Sequence, residues 1–235
     1  KKIVLKAVQK NGYALEYADD HLKKDKDVVL SAVKQNGYAL QYADDSLKKN
    51  KKIVIETIKQ NGYALQYVDD SLRKNREIVM KAVKKYCFAL QYAHESFKRD
   101  KEIVLEAINQ YGYALKYADD VLKKDKAVVL RALKKNSFSL LYADDSLKKD
   151  KQFILNAIKQ CSYGTFMNYV DNSLKKDKEV ALEAVKQWGT ALQYLDNSLK
   201  KDKEVVSAAI AQYGESFQFA DDSLKQDPDI IAAVN

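Results

Sequence analysis

The sequence predicts an all-α protein, built as a right-handed-type α-solenoid of stacked 25-residue helical hairpins. Three observations support this prediction. A tyrosine recurs every 25 residues, with one interval of 27, and a fixed period of this length is typical of solenoids. The 235 residues include only one proline and seven glycines, which favours helix almost throughout. No stretch alternates apolar and polar residues as a half-buried strand would.

The recurrent aromatic residue defines the repeat units. It stands at Tyr17, Tyr42, Tyr67, Tyr92, Tyr117, Tyr142, Tyr169, Tyr194 and Phe219. We therefore expect a single repeat array over residues 1–235. Its units are 1–20 (partial), 21–45, 46–70, 71–95, 96–120, 121–145, 146–172, 173–197, 198–222 and 223–235 (partial).

The first helix of each unit is expected to begin after an aspartate or asparagine. These are strong N-cap residues, because the side-chain oxygen accepts a hydrogen bond from a free backbone N–H of the first turn. Pro228 directly follows one of them, at the first helical position, where proline is tolerated. In the second unit Val28, Val29, Ala32 and Val33 then share one apolar face over about eleven residues. The expected caps are Asp25, Asn50, Asn75, Asp100, Asp125, Asp150, Asp177, Asp202 and Asp227.

A small residue ends the first helix. Six glycines occupy this column, and Cys87, Ser137 and Ser162 take the place of glycine in three units. Two explanations for glycine remain open, a left-handed helix C-cap or a close approach of a neighbouring backbone. Asn36, beside Gly37, is positioned to cap the next helix. The glycines of the column are Gly12, Gly37, Gly62, Gly112, Gly189 and Gly214.

A second helix is predicted over residues 38–47. Leu40, Ala43 and Leu47 share one face of it, at i, i+3 and i+7. Lys48 and Lys49 follow at the negative end of the helix. Only two or three residues then precede the next cap, and links this short make neighbouring helices antiparallel.

Several classes of function are not supported by the sequence. No catalytic dyad, glycine-rich phosphate loop or nucleophile motif is present, so we expect a non-enzymatic protein without a cofactor. His21 and His94 fall in different units, which makes a metal site from them improbable. The Asp-Asp pairs are expected in mid-helix and lack a calcium-binding loop. Cys87 and Cys161 lie about three units apart, too far for a disulfide, which weakly favours a reducing intracellular compartment.

Lysine pairs are the most visible polar feature of the chain. The net charge of +8 permits an acidic or phosphate-bearing partner. Most pairs, however, follow an aspartate pair by four residues, as Lys48 follows Asp44, in a favourable ion-pair arrangement. We therefore expect a largely self-neutralised, solvated face. The Tyr42 column is expected to pack between units, and the more variable Tyr38 column to lie closer to solvent.

Two glutamine columns and the irregular unit 146–172 supply the candidate partner-binding residues. Repeat proteins read partners with such columns, although glutamine is also an ordinary surface helix former. The irregular unit has two extra residues, and Gly164 and Thr165 stand where Ala-Leu is usual, which marks either a partner site or sequence drift. The candidates are Gln35, Gln60, Gln110, Gln160, Gln187, Gln41, Gln66, Gln91, Gln193, Phe166 and Met167.

A longer pattern resembles a known family. Asp-Lys-x-Val-x-Leu-x-Ala-Val-Lys-Gln-x-Gly-x-Ala-Leu-Gln-Tyr stands complete at residues 25–42 and 177–194. It is similar to the tandem repeat of the domain-of-unknown-function family numbered four-one-one-six, found in bacteria and unicellular eukaryotes. The resemblance implies a repeat architecture and no particular activity, so it assigns no functional residues.

The leading functional hypothesis is a scaffold that mediates protein–protein interaction or assembly. The alternative is a nucleic-acid-binding array that uses the lysine and glutamine columns. Expected partners are other protein chains, including further copies or flanking units of the same array, and no membrane span is expected. Apolar residues such as Ile3, Val4, Ile230 and Ile231 stand in the terminal helices. They lead us to expect a longer array, or ends that dock onto other chains.

Overall fold

A computed structural model describes residues 1–234 of the chain. Within that range every regular element is helical and no strand occurs, so the expected all-α repeat solenoid is confirmed. The chain divides into two compact units, Lys1–Asp119 and the residues from Asp120 onward. Both are built from the same repeat.

From here on a repeat is counted from the start of its long helix, and it consists of a long α-helix, a 3₁₀ helix and a short α-helix in that order. After Gly214–Phe219, turns at 222–226 take the place of the short helix. The long helices are Lys2–Lys10, Lys26–Gln35, Lys51–Gln60, Arg76–Lys85, Lys101–Gln110, Lys126–Lys135, Lys151–Gln160, Lys178–Gln187, Lys203–Gln212 and Pro228–Val234. The 3₁₀ helices are Gly12–Tyr17, Gly37–Tyr42, Gly62–Tyr67, Cys87–Tyr92, Gly112–Tyr117, Ser137–Tyr142, Gly164–Tyr169, Gly189–Tyr194 and Gly214–Phe219. The short helices are Asp20–Lys23, Asp45–Lys48, Asp70–Arg73, Glu95–Lys98, Asp120–Lys123, Asp145–Lys148, Asn172–Lys175 and Asn197–Lys200.

The long helices begin where the capping residues predicted. Asp25 is typical, because its Oδ1 accepts hydrogen bonds from the backbone N–H groups of Asp27 at 3.0 Å and Val28 at 3.2 Å. The same column supplies the cap of each later long helix, through to Asp227 before Pro228. Val28, Val29, Ala32 and Val33 are fully buried, as their spacing indicates.

The single second helix predicted over residues 38–47 is wrong. The structure has a 3₁₀ helix up to Tyr42 and a separate short helix from Asp45. Ala43 and Asp44 between them are extended, with ψ near 150°. Asp44 causes the break, because its Oδ1 accepts from both the backbone N–H of Ser46 at 3.0 Å and its hydroxyl at 2.6 Å, so it caps a new helix. The first residue of the Asp-Asp pair is therefore an N-cap and does not lie in mid-helix.

Glycine is needed at the start of the 3₁₀ helix because another backbone lies close to it. No glycine among the described residues has a positive φ, so the left-handed explanation is excluded. A Cβ added to Gly37 would lie 2.7 Å from the carbonyl oxygen of Thr57 in the next repeat, and one added to Gly12 would lie 2.6 Å from that of Ala32. Both distances are shorter than a carbon–oxygen contact allows, so the column permits the close stacking of repeats.

The two extra residues of the irregular unit extend the link before the 3₁₀ helix. Cys161, Ser162 and Tyr163 occupy the place that Asn36 alone fills in the second unit. Gly164 therefore belongs to the glycine column. The prediction that Ser162 takes the place of glycine in this unit is wrong. The prediction that Gly164 and Thr165 stand where Ala-Leu is usual is wrong as well. With Gly164 included, all seven glycines of the chain begin a 3₁₀ helix.

The core of each compact unit lies between stacked repeats. The apolar faces predicted from Val29 and Leu47 are repeated along the chain. The column of Val29 is fully buried at Val29, Val54, Val79, Val104, Val129, Ile154 and Val206. The column of Leu47 is buried at Leu22, Leu47, Leu122, Leu147, Leu174 and Leu199. Leu72, Phe97 and Leu224 of that column are only half-buried. The prediction of the core is otherwise confirmed.

Backbone hydrogen bonds also join successive repeats through the short helices. The N–H of Asp44 donates to the carbonyl of Lys23 in the preceding repeat at 3.1 Å, and Asp196 repeats this contact with Lys175 at 3.1 Å. Oδ2 of Asp44 also faces Lys24 Nζ at 3.9 Å. The aspartate of this column thus caps its own short helix and binds the preceding repeat.

Many of the lysines are paired with carboxylates, although not in the pairs that the sequence suggested. The i, i+4 pair predicted between Asp44 and Lys48 is replaced by Asp45 with Lys48 at 3.0 Å, at i, i+3. Ion pairs between repeats add to these contacts. Lys178, for example, lies 2.8 Å from both Asp202 and Glu204 at the start of the next long helix.

The terminal helices are only partly uncovered. Val8 and Ile230 are fully buried, whereas Ile3 is 85% exposed and Ile231 is 45% exposed. The expectation that the whole apolar faces of these helices are open is therefore wrong for Val8 and Ile230. Asn235 lies outside the described residues. None of the helices within the described range combines the length and apolar character needed to cross a membrane.

Candidate partner-binding face

Aromatic side chains form a ladder in the compact unit 1–119. The tyrosine that ends each 3₁₀ helix packs edge-to-face on the aromatic residue in the second position of the preceding 3₁₀ helix. The contacts, between ring centroids, are Tyr13–Tyr42 at 6.2 Å, Tyr38–Tyr67 at 6.3 Å, Tyr63–Tyr92 at 5.0 Å and Phe88–Tyr117 at 5.9 Å. The prediction that the Tyr42 column packs between repeats is confirmed in this unit for Tyr42, Tyr67, Tyr92 and Tyr117, whereas Tyr17 is 86% exposed. Edge-to-face pairs of this kind stabilise the contact between repeats by about 0.5–1.5 kcal/mol each.

Two further tyrosines widen the ladder on its exposed side. Tyr86 and Tyr111 stand in the column where Asn36 caps its 3₁₀ helix by accepting from the N–H of Tyr38 at 2.9 Å. Neither tyrosine makes a side-chain cap hydrogen bond. Instead they lie beside the ladder, 40% and 43% exposed. Two neighbouring repeats thus carry a surface ring where the other repeats of unit 1–119 carry a capping side chain.

The rings of this region form one continuous set, which we call the aromatic cluster and define as Tyr63, Tyr86, Phe88, Tyr111 and Tyr113. Consecutive centroids lie 5.5, 5.4, 5.7 and 6.1 Å apart. The first three contacts are edge-to-face and the last is stacked. The cluster is an apolar surface in a chain whose exposed face is mostly charged, and such patches mark interaction sites.

A surface groove opens at one end of the aromatic cluster. It has a volume of about 390 Å³ and is lined by Tyr38, Asn61, Tyr63 and Tyr86. The hydroxyl of Tyr92 donates to that of Tyr63 at 2.7 Å. Burial and this hydrogen bond raise the pKa of Tyr92 well above its usual range, so the phenol stays neutral. The groove therefore combines apolar walls with phenol and amide hydrogen-bonding groups.

Cations border the same region. Lys84 and Lys85 are exposed and directly precede Tyr86 at the end of the long helix. No ion pair to either is found within residues 1–234. Lys116 Nζ lies 5.7 Å from the ring centroids of both Tyr113 and Tyr117, which is a cation–π distance. Lys116 therefore brings a positive charge to the rings of Tyr113 and Tyr117, and Lys84 and Lys85 are neighbours of Tyr86 in the sequence.

Five of the nine candidate glutamines make a hydrogen bond within the described part of the chain. Gln35 accepts from the N–H of Gly12 at 2.6 Å, and Gln110 donates to the carbonyl of Val83 at 2.8 Å, so both tie neighbouring repeats together. Gln160 donates to Asn156 at 2.5 Å within its own helix. Gln41 and Gln193 donate to carbonyls of their own 3₁₀ helices at 3.1 and 3.0 Å. Gln60 and Gln187 are exposed, and Gln66 and Gln91 are half-buried.

Phe166 and Met167 are fully buried and offer no surface to a partner. Phe166 packs edge-to-face on Trp188 at 5.9 Å, and Trp188 Nε1 donates to the carbonyl of Ser162 at 3.2 Å. The ring contact of Phe166 with Trp188 and the hydrogen bond of Trp188 to Ser162 therefore anchor the extended link. Tyr163 at its tip is 72% exposed, which sequence reasoning did not single out.

The two cysteines are free and buried. Burial raises the pKa of the Cys161 thiol to about 11, so the reactive thiolate form is disfavoured. No group of three or more potential metal-ligating side chains is found among residues 1–234.

Sequence reasoning missed Tyr86 and Tyr111 as site residues. The signal was present, because two successive repeats replace a capping asparagine with an aromatic residue. Asparagine in this column was predicted to cap the next helix, but the sequence alone did not show that the rings in its place pack beside the ladder.

The helical segments, the stacked repeats and the absence of a strand in the described range define a tandem helical-repeat protein. The chain belongs to the family called domain of unknown function DUF4116, whose model matches residues 1–48, 25–73, 50–98, 75–123, 100–148, 125–175, 150–200 and 202–232. The resemblance noted from the sequence is thereby confirmed. No match was found among curated proteins or among solved structures.

Proposed function

We propose that the chain is a non-enzymatic scaffold, and that the aromatic cluster binds a segment of another protein chain. The observation that carries this proposal is the pair Tyr86 and Tyr111, exposed rings at positions where asparagine would cap the 3₁₀ helix. An N-cap contributes about 1 kcal/mol, and Tyr163, Trp188 and Tyr213 of the other compact unit also lack it, so what distinguishes Tyr86 and Tyr111 is that they join one continuous set of rings. Exposed tyrosines at a surface patch are typical of protein interfaces.

The geometry of the repeat supports an extended partner. Successive repeats of the unit 1–119 present the same ring positions, so the cluster is longer than it is deep. An extended segment contacts several repeats at once, whereas a small molecule would need a concave pocket with convergent polar groups. The lysine and aspartate columns are engaged in ion pairs between and within repeats, which leaves the aromatic cluster as the more selective surface.

The proposal is tested by panning a displayed library of random peptides on the full chain. We expect peptides that bind the original chain and bind the double variant Tyr86→Asn/Tyr111→Asn at least tenfold more weakly. Asparagine is the capping residue of this column, so the variant is expected to keep its fold. The matched control is Tyr213→Asn, which makes the same exchange at a 43% exposed tyrosine of the other compact unit. If the enriched peptides bound the double variant as tightly as the original chain, a binding role for this face would be refuted.

A nucleic-acid-binding array remains the second candidate, and one observation favours it. The unpaired Lys84 and Lys85 and the cation–π contact of Lys116 bring positive charge to an aromatic surface. Binding of a labelled 20-nucleotide single strand distinguishes the two functions. A nucleic-acid function requires an affinity that falls steeply with salt and that is reduced by Lys84→Glu/Lys85→Glu.

A further inference from the structure

We propose that a small pocket in the unit 1–119 is a binding site for a phosphate group. The pocket lies where the short helix Asp70–Arg73 of one repeat meets the short helix Glu95–Lys98 of the next. It has a volume of about 230 Å³, and we call it the junction pocket. This site goes beyond the proposed function, because it does not depend on the rings of the aromatic cluster. The residues that line it include Asp70, Arg73, Lys74, Tyr92, His94 and Glu95.

Two residues of the junction pocket depart from the pattern of the repeat. His94 stands where all other repeats have aspartate, at Asp19, Asp44, Asp69, Asp119, Asp144, Asp171, Asp196 and Asp221. Arg73 stands where all other repeats have lysine, at Lys23, Lys48, Lys98, Lys123, Lys148, Lys175, Lys200 and Lys225. The planar guanidinium of arginine suits phosphate better than a lysine ammonium does. Both exceptions therefore meet in one pocket, and both favour an anion.

The exchange of aspartate for His94 leaves a lysine without its usual partner. At equivalent junctions the aspartate faces a lysine of the preceding repeat, in the pairs Lys24–Asp44 at 3.9 Å, Lys49–Asp69 at 3.8 Å and Lys124–Asp144 at 3.8 Å. Lys74 occupies this lysine position before His94 and is exposed. No ion pair to Lys74 is found among residues 1–234. Its ammonium group is therefore available to an anion in the pocket.

His94 supplies a hydrogen-bond donor in place of a carboxylate. Its Nδ1 accepts from the backbone N–H of Ser96 at 3.3 Å and lies 2.9 Å from the hydroxyl of Ser96. Because a backbone N–H group only donates, Nδ1 carries no proton in this arrangement, and the ring proton is on Nε2. His94 thus keeps the capping role of the column and has an N–H group left for a ligand.

Arg73 supplies a further donor. Its Nη2 pairs with Asp70, whereas its Nε is buried and has no hydrogen-bond partner within the described residues. Buried N–H groups are nearly always paired in proteins, so an unpaired one at a pocket indicates an acceptor that binds there. The second carboxylate of the pocket, Glu95, is paired with Lys98 at 2.7 Å. Both carboxylates are therefore already engaged by cations.

The number of donors and the size of the pocket select the ligand. Lys74, Arg73 and His94 offer donors from three different side chains. A phosphate monoester has three free oxygens and carries close to two negative charges at pH 7.5, since its second pKa is about 6. A carboxylate has only two oxygens, in one plane with its carbon. Pockets for drug-sized ligands have volumes of about 300–1,000 Å³, so the smaller junction pocket suits one phosphate group.

The phosphate has two sources, a free phosphate-bearing molecule or a phosphorylated side chain of a bound segment. Tyr92 lines the junction pocket, and its hydroxyl donates to that of Tyr63 at 2.7 Å. Tyr63 lines the groove of the aromatic cluster. The pocket and the groove thus meet at this pair of tyrosines, so one bound segment can reach both. The shared chemistry is the phosphate dianion, and the test separates its sources.

The test follows the imidazole signals of the full chain by NMR, because the chain has only two histidines, His21 and His94. Sodium phosphate, a phosphoserine pentapeptide, its unphosphorylated form and sodium acetate are titrated at pH 7.5 and constant ionic strength. We expect the two phosphate-bearing ligands to shift the His94 signal saturably, with dissociation constants of roughly 1 mM or below. Acetate and the unphosphorylated peptide are expected to bind at least about tenfold more weakly. His21 is the internal control and is expected not to shift.

The order of affinities identifies the source of the phosphate. Tighter binding of the phosphoserine pentapeptide than of inorganic phosphate would assign a phosphorylated side chain, and the opposite order would assign a free molecule. Both orders support the site. A His94 signal that does not move with either ligand, or that moves equally with acetate, would overturn the proposal.

A matched pair of variants locates the site while keeping the NMR probe. Lys74→Gln is expected to weaken phosphate binding about tenfold, because it removes the unpaired cation. Lys49→Gln makes the same exchange at the equivalent position of the preceding repeat, where the lysine faces Asp69. It is expected to change the affinity less than twofold. Equal effects of the two exchanges would overturn the assignment of the pocket.

His94→Asp restores the residue of the other repeats and is expected to keep the fold, because aspartate is a strong cap and can face Lys74. Isothermal titration calorimetry with the phosphoserine pentapeptide is expected to show at least about tenfold weaker binding, since a carboxylate repels the phosphate. Loss of one imidazole signal in this variant also assigns the signal of His94. Unchanged binding would contradict the proposal.

Failure of this proposal is distinguishable from failure of the proposed function. Tyr86→Asn/Tyr111→Asn is expected to change the affinity for inorganic phosphate less than twofold, since neither tyrosine lines the junction pocket. Library peptides that depend on these two tyrosines, together with a His94 signal indifferent to phosphate, would overturn only the phosphate site. Phosphate binding without any such peptide would overturn only the role of the aromatic cluster.

Discussion

At Gly12, Gly37, Gly62 and Gly189, the absence of a side chain is favoured by close contact with a backbone carbonyl of the next repeat. No glycine among the described residues has a positive φ that would itself demand glycine. Gly37 shows the effect, since its missing side chain leaves room for the carbonyl of Thr57. Cys87 and Ser137 occupy the same column, so small shifts of the neighbouring backbone accommodate a Cβ there. Gly214 has no atom within 4 Å of an added Cβ.

These two glycines supply a matched pair of substitutions. Gly37→Ala is expected to destabilise the fold by about 1–3 kcal/mol, because the new methyl group lies too close to a backbone carbonyl. Gly214→Ala is expected to be neutral or to stabilise by less than about 1 kcal/mol, because alanine restricts the unfolded chain. Urea denaturation monitored by circular dichroism measures both. Equal effects of the two substitutions would contradict the role assigned to the glycine column.

The buried valine column gives a second prediction for single residues. Val104→Asp is expected to cost more than about 3 kcal/mol, because it strands a charge in an apolar contact between repeats. Val121→Asp is the control, since Val121 is 67% exposed in the first turn of a short helix, where a negative charge is favourable. Thermal unfolding compares the two. An unchanged melting temperature for Val104→Asp would count against the stacking described above.

The short helices join successive repeats by backbone hydrogen bonds at their caps. Asp69 is typical of its caps, because it accepts from the N–H of Ser71 at 3.0 Å and from its hydroxyl at 2.6 Å. These hydrogen bonds with Ser71 lower the pKa of Asp69. The backbone N–H of Asp69 donates to Lys48 at 3.3 Å, so the same residue caps one repeat and holds the previous one. Ion pairs act at the start of the long helix, where Glu77 pairs with Lys81 and Lys51 and has its pKa lowered to about 2.

These lowered pKa values predict a loss of stability in acid. Carboxylates whose pKa is lower in the folded state stabilise the fold above their unfolded pKa, and this contribution is lost as the pH falls through the folded value. For Glu77 the window extends from about pH 4.5 down to about pH 2. We expect the melting temperature to be constant near neutral pH and to fall within this window.

A substitution isolates the contribution of one cap to this acid effect. Asp69→Asn keeps a good N-cap but cannot titrate, so the variant is expected to lose less stability between pH 5 and 2 than the original chain does. The same comparison in 0.5 M NaCl separates the caps from the exposed ion pairs, which salt screens. An identical pH dependence for variant and original chain would show that Asp69 does not contribute.

At the scale of the whole molecule, the net charge is +8, but many of the lysines that contribute to it are already paired with carboxylates. Aspartates and glutamates of neighbouring repeats hold many of the lysines, as Lys178 and Lys203 illustrate. A paired lysine neutralises a phosphate less effectively, since the existing ion pair must be broken first. The protein-binding function therefore predicts a modest salt dependence.

The salt prediction is measured on two ligands in parallel. Between 50 and 200 mM NaCl, we expect the affinity for a library peptide that depends on Tyr86 and Tyr111 to fall by less than about tenfold, because ring contacts dominate it. Any affinity for a 20-nucleotide single strand is expected to fall far more steeply, since that binding depends on phosphate contacts. Tight binding of the oligonucleotide with this steep salt dependence, together with sensitivity to Tyr86→Asn/Tyr111→Asn, would favour the nucleic-acid function.

The sequence by itself determined the repeat, the caps of the long helices and the buried valine column. Each of these depends on local hydrogen bonding or on helical periodicity, which are readable from residues such as Asp25 and Val29. The helix that begins at Asp44 is also encoded locally, by the hydrogen bonds from Ser46, and the predicted continuous helix missed this cap. Only the tertiary structure decided that Gly37 serves a contact with the next repeat and that Tyr86 and Tyr111 join one exposed cluster. Those two features depend on groups about 20 to 29 residues apart that meet only when repeats stack.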